Sequence, residues 1–183
     1  GVVSGGVSEN VALRAAVMWE RQDEGYGENV YLRQTFGNRE AHGGRLSGRF
    51  DLTDTLRVDA SVFRFWDWTD GIQLTRLNPF NATARANNPI FNTAAPRPSD
   101  PRDINAESQA DAERVLEGGN ITVHWDFTPN LALRSITSYT RVDYSNLGAD
   151  GDVTELPMVH SDRIEDTAAW QQEFNLIFRA FDS

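Results

Sequence analysis

The residues with the most versatile chemistry in this chain are three histidines and a run of closely spaced carboxylates. His42, His124 and His160 lie far apart, with no i, i+4 pair of the kind that places two imidazoles on one metal. Asp150-Gly151-Asp152 resembles the opening of a calcium loop but lacks the later ligand and glycine positions of an EF-hand, so it reads as a solvated acidic turn. No G-x-S-x-G elbow and no phosphate-cradling glycine loop occur. Without cysteine there is neither a thiolate nucleophile nor a disulfide framework. Paired carboxylates could still converge from different loops, as in a glycosidase, but nothing in their spacing supports it. The expectation is a chain that is not an enzyme and that carries no metal and no cofactor.

Charge narrows the partners. The formal net charge of -10 excludes nucleic acid, whose phosphates need a basic surface. All 17 cationic side chains are arginine, which leaves only planar, permanently charged forks for carboxylate or phosphate contacts.

The elements that would position such residues are strands. Val11, Leu13, Ala15, Val17 and Trp19 alternate with Ala12, Arg14, Ala16, Met18 and Glu20, a period of two over the length that a tilted membrane strand needs. Gly43 to Leu52 repeats the pattern. From Leu56 onward Val58, Ala60 and Val62 oppose Arg57, Asp59 and Ser61, until Arg64 lands on the apolar side, through either a bulge near Phe63 or a position at headgroup level. Ile121, Val123, Trp125 and Phe127 form a further run, followed by Leu131 and Leu133 against Arg134. Alternation fades over Ser135 to Tyr144, then returns with Trp170, Phe174, Leu176 and Phe178, where Gln172 is the exception. With Val2 to Val7 this makes about seven strands.

The connections are of two kinds. Those at Ser8-Glu9-Asn10, Thr53-Asp54-Thr55 and Thr128-Pro129-Asn130 are tight, whereas those at about 21–42, 69–118 and 145–165 are long and polar. Short turns on one rim and long loops on the other mark a transmembrane β-barrel, whose half-wet strands also explain a mean hydropathy of -0.50. The fold class predicted is all-β: an antiparallel up-and-down meander of about seven strands over 1–183, forming an open arc of a larger transmembrane barrel. Barrels of bacterial single chains have even strand numbers, and Gly1 opens directly onto a strand without a leader, so the chain reads as a processed or excised piece. The alternative is a soluble extracellular β-sandwich that binds carbohydrate, with Trp66 and Trp68 as stacking platforms. Sandwiches usually have short connections at both ends, which favours the barrel.

Four segments resemble the TonB-dependent outer-membrane receptors. They are "VSENVALRAAVMWERQDEGYGEN" at 7–29, "GGRLSGRFDLTDTLRVDASV" at 43–62, "LALRSITSYTRVDYSNLGADGD" at 131–152 and "WQQEFNL" at 170–176. They occur in the family's order. The resemblance implies a 22-stranded barrel in the bacterial outer membrane, plugged by an N-terminal domain and driven by an energy-coupling protein, both outside this chain. Such receptors import a scarce ligand, most often a ferric siderophore.

Roles follow from the strand reading. Arg14, Arg45, Arg49, Asp59, Arg134 and Glu173 are expected to face the lumen. Trp19, Trp66, Trp68, Tyr139, Tyr144 and Trp170 are expected in the aromatic girdle at the lipid interface. The connection at 69–118 holds Pro79, Pro89, Pro96, Pro98 and Pro101, and its Phe80, Phe91, Arg97 and Arg102 are the candidates for ligand contact. Its final stretch, Ala106 to Glu117, is rich in helix formers and predicts a short helix.

Overall fold

A computed structural model describes residues 1–71 and 80–178; Pro79 lies outside them. In chain order the elements are β1 (Val2–Ser8), β2 (Val11–Gln22), β3 (Gly27–Asn29), β4 (Gln34–Phe36), β5 (Arg39–Thr53), β6 (Leu56–Thr69), α1 (Ala82–Asn87), a 3₁₀ turn at Pro89–Asn92, β7 (Asp111–Thr128), β8 (Leu131–Asp150) and β9 (His160–Phe178). Among the described residues, seven strands form one antiparallel sheet in the order β1-β2-β5-β6-β7-β8-β9, while β3 and β4 make a separate hairpin. The sheet is an up-and-down meander that does not close, so β1 and β9 are its edges.

One end of the sheet is built by a repeated local device. The hairpins β1–β2, β5–β6 and β7–β8 close at 9–10, 54–55 and 129–130. In each, a hydroxyl accepts the backbone N–H two residues on: Ser8 from Asn10 at 3.3 Å, Thr53 from Thr55 at 3.2 Å, and Thr128 from Asn130 at 3.3 Å. This is the bond by which Ser and Thr nucleate a turn. Adjacent turns are also tied, with Asp51 N donating to Asn10 O and Asp126 N to Thr55 O. At the other end the connections span 23–38, 70–110 and 151–159.

Residues directly opposed in an antiparallel pair share a face, so the register sorts the side chains. Leu13 opposes Gly48, Gly48 opposes Ala60, and Ala60 opposes Ile121. Ile121 then opposes Thr137, which opposes Gln172. From the tight turns up to the row of Arg64, Glu117 and Arg141 that face is apolar apart from a satisfied patch, where the Thr137 hydroxyl donates to Gln172 Oε1 at 2.6 Å and Gln172 Nε2 donates to Ser135 Oγ at 3.0 Å. Among the described residues no layer covers the apolar face. Val17, Val62 and Phe174 are 65%, 59% and 68% exposed, and Phe50, Val58 and Val123 are only half-buried. A sandwich would bury these residues against a second sheet, and none packs there among the described residues.

Two sequence expectations are corrected or decided. Ala106 to Glu117 is not a helix, since β7 begins at Asp111 and pairs along its length with β6 and β8. Helix propensity is a weak term that two ladders of backbone hydrogen bonds outweigh. The register of β5 on β6 is unbroken from Asp51 to Arg39, so no bulge occurs near Phe63 and Arg64 projects from the apolar face.

Candidate functional site: the polar face and the loop cap

The opposite face of the sheet gathers the polar candidates. Arg14, Arg45, Arg49, Asp59, Arg134 and Glu173 all fall on it by register. Two of them, Arg49 and Asp59, belong to a set of polar cross-strand contacts, in which Arg49 Nε meets Asp59 Oδ1 at 2.9 Å, His124 Nε2 lies 3.7 Å from Asp59 Oδ2, and Arg57 Nε meets Asp51 at 2.8 Å. Such exposed pairs contribute at most about 1 kcal/mol each. Glu173 accepts from Asn175 Nδ2 at 2.7 Å. Arg45 lies over the Phe63 ring at 5.4 Å. Among the described residues, Arg14, Arg45 and Arg134 have no carboxylate within ion-pair distance.

Of the six aromatics expected in one girdle, Trp19, Trp66, Trp68, Tyr139 and Trp170 share the apolar face. Tyr139 and Trp170 lie against each other with ring centroids 4.8 Å apart. The Trp66 and Trp68 indoles donate to Glu113 and Asp111, each at 2.7 Å. Tyr144 is the exception and a correction. It stands an even number of residues after Arg134 in an unbroken strand, opposite Arg114 and Glu165, so the pleat turns it to the polar face. There it helps to line a hollow of about 340 Å³ with Asp67, Arg114, Val142, Arg163 and Glu165. Asp67 is bonded at 2.5 Å by Arg39, and the Arg163 guanidinium lies 5.9 Å from the Tyr144 ring centroid. The fading alternation after Ser135 hid this hollow from the sequence.

The long connections form a cap with its own core. Phe36, Ile104, Ala106 and Val153 are buried together, one or two from each of the three connections. Asn29 is fully buried and works as a strap: its Nδ2 donates to Ala106 O at 2.9 Å and its Oδ1 accepts from Ala106 N at 3.2 Å. Backbone bonds from Val30 N to Ile104 O and from Ile104 N to Glu28 O extend the docking. Asp70 fixes the hairpin's exit by accepting the Gly37 and Asn38 N–H groups at 2.8 Å.

Within the cap, Phe80 and Phe91 stack with centroids 4.2 Å apart. Asn81 caps α1 by accepting from Ala84 N at 2.8 Å. Arg102 is held by Asp100 through Nε at 3.2 Å and Nη2 at 2.9 Å, and this arginine draws the Asp100 carboxyl down to about 2. Arg97 is exposed between Pro96 and Pro98.

The acidic turn is not solvated. Asp150 is 4% exposed, at the loop end of β8, and its Oδ1 accepts from the N–H groups of Asp152 (2.9 Å) and Val153 (2.8 Å). Glu107, from the connection between β6 and β7, lies beside it and accepts from His160 Nε2 at 2.7 Å when that nitrogen is protonated. Burial, and then the neighbouring Glu107, push the Asp150 carboxyl up to about 6. The three histidines stay apart: His42 stacks on Trp66 at 4.8 Å, His124 faces Asp59, and His160 meets Glu107. Sequence reading missed Glu107 because it is remote in the chain from the turn that it joins.

No family model and no curated protein matches this chain. Among solved structures, the closed form of the ferric-catecholate import receptor Fiu from E. coli K12 is similar, at 17% identity and a TM-score of 0.53. The similarity covers 96% of this chain and 24% of the receptor's, so the chain spans about a quarter of that protein's length. At this identity the likeness is one of fold: the meander is built like part of that receptor's chain.

Proposed function

We propose that this chain is a wall segment of a TonB-dependent outer-membrane receptor that imports a scarce ligand, a ferric siderophore being the class we assign. The carrying observation is an apolar sheet face that no other described residues cover and that is free of charge from the turns up to one cross-strand row, Arg64, Glu117 and Arg141. On β8 the outward residues Leu131 to Tyr139 below that row span roughly nine residues, about what a tilted strand needs to cross the hydrocarbon. Lipid is the covering layer in this reading. The polar face then lines the lumen, where Arg14, Arg45 and Arg134 are placed to meet a plug domain. The loop cap, with Phe80, Phe91, Arg97 and Arg102, faces the ligand from outside the cell. The arginine forks of the cap offer planar, permanent positive charge to an anionic ligand, and the siderophore class is assigned because it is the commonest cargo of such receptors. The fold likeness to an import receptor supports the same reading.

Site-directed labelling tests it in cells that express the full coding sequence. Single cysteines at Val62 and Phe174 should be inert to a water-soluble maleimide in outer-membrane vesicles, and those at Ser47 and Asn120 reactive once the lumen is accessible. Uptake of iron-55 as a catecholate complex should depend on the protein. Recovery in the soluble fraction, or equal labelling at all four positions, would overturn the membrane assignment; normal insertion without iron uptake would overturn only the ligand.

A further inference from the structure

Glu107, Asp150 and Asp152 bring one carboxylate oxygen each to within 4.8 Å of one another, Glu107 from the connection between β6 and β7, Asp150 from the end of β8 and Asp152 from the connection that follows it. A group of acids alone says little, because exposed carboxylates often cluster without a ligand. Here the second observation is burial without partners. The Glu107 side chain is 9% exposed and Asp150 4%, yet Glu107 Oε2 and Asp150 Oδ2 are both shut off from solvent and accept no hydrogen bond. The donors nearby are already committed to other atoms: Asp152 N and Val153 N to Asp150 Oδ1, and His160 Nε2 to Glu107 Oε1. While both groups are ionised these oxygens are acceptors only, so either a proton held between them or a cation has to satisfy them. Among the described residues no arginine lies within ion-pair distance of either carboxylate, and His160 meets the other oxygen of Glu107.

We infer that Glu107, Asp150 and Asp152 bind one divalent cation of calcium type, which staples the connection between β6 and β7 to that between β8 and β9. All three groups are hard oxygen donors, with no imidazole or thiolate among them, which selects Ca²⁺, Mg²⁺ or Mn²⁺ over zinc or copper. Calcium is the best fit of these, because it accepts six to eight oxygens in irregular geometry, including mono- or bidentate carboxylates and water. Asp152 is already oriented, since its Oδ1 accepts from the Thr154 hydroxyl and its Oδ2 from Val159 N at 3.0 Å. The inference concerns the order of the cap and stands apart from the identity of any imported ligand.

The experiment uses the protein at full coding length, purified in detergent and stripped with a chelator. Titration with Ca²⁺ alone, followed by calorimetry, should show one saturable site above the weak background expected of an acidic chain, and Ca²⁺ should slow proteolysis within 80–110 and 151–159. Asp150→Asn and Glu107→Gln should each weaken that site at least tenfold, whereas Asp23→Asn, in another connection, should leave it unchanged. The inference fails if the wild type shows no saturable site, if the two variants bind as well as the wild type, or if cap protection follows pH and ignores Ca²⁺, which would make a shared proton the missing charge. Should a variant not fold, the wild-type titration and proteolysis decide alone.

Discussion

Arg64 and Glu117 oppose each other across β6 and β7 on the apolar face, with Arg64 Nη1 3.4 Å from Glu117 Oε2. Glu117 in turn opposes Arg141, whose guanidinium reaches Asp143 at 3.0 Å and Asp166 at 2.8 Å. Between this row and the turns every residue on that face is uncharged. In the proposed reading the row marks the edge of the hydrocarbon.

Leu133→Arg and Arg64→Ala should accordingly differ sharply. The first places a charge within the uncharged band and should cost about 2–4 kcal/mol of folding into lipid. The second removes half of an exposed pair and should cost under about 1 kcal/mol. Arg134→Ala, on the other face, should behave like the second. A urea titration of refolding into bilayers measures all three, and similar losses would mean that the faces are misassigned.

Gly118 allows two strands to approach. A Cβ there would lie 2.3 Å from the carbonyl oxygen of Tyr139 and 3.0 Å from the Phe63 ring, whereas one at Gly5 would meet nothing within 4 Å. Gly118→Ala should therefore destabilise by about 1–3 kcal/mol, in the range of overpacking, and Gly5→Ala should be close to neutral. The same refolding titration reads the contrast; equal effects would show that the strands separate at no cost.

Asn29→Ala should loosen the cap without touching the seven-stranded sheet. It removes both bonds to Ala106 and leaves a buried N–H and C=O unpaired, a loss of about 1–3 kcal/mol that falls on local opening. Hydrogen exchange should rise over 101–106 while β5 to β9 stay protected. Unchanged exchange over 101–106 would count against the strap.

Loop deletions separate ligand contact from cap architecture. Removing 82–104 takes away Phe91, Arg97 and Arg102 and also the core residue Ile104, whereas removing 82–93 spares Ile104. Both should weaken binding of the imported ligand in outer-membrane vesicles with insertion intact, and only the longer should expose the 23–38 hairpin to protease. Unchanged affinity in both would move recognition to other loops.

The sequence by itself determined where the strands of the large sheet run, the start of β7 excepted, and, wherever alternation is clean, which side chains share a face. That information is local, because the pleat alternates every residue whatever the partner strand. Val11 to Trp19 and Trp170 to Phe178 could be sorted in this way, and so could the turn-forming hydroxyls Ser8, Thr53 and Thr128. Only the tertiary structure decided the rest. Tyr144 turned to the polar face because β8 keeps its register from Leu131 through Asn146, and Asp111 to Glu117 became strand because β6 and β8 pair with it from both sides. The cap core and the Glu107–Asp150 contact join residues far apart in the chain, whose meeting depends on how three hairpin ends are held side by side by the sheet. No periodicity encodes such a contact; it exists only once the sheet has set the distances between its loops.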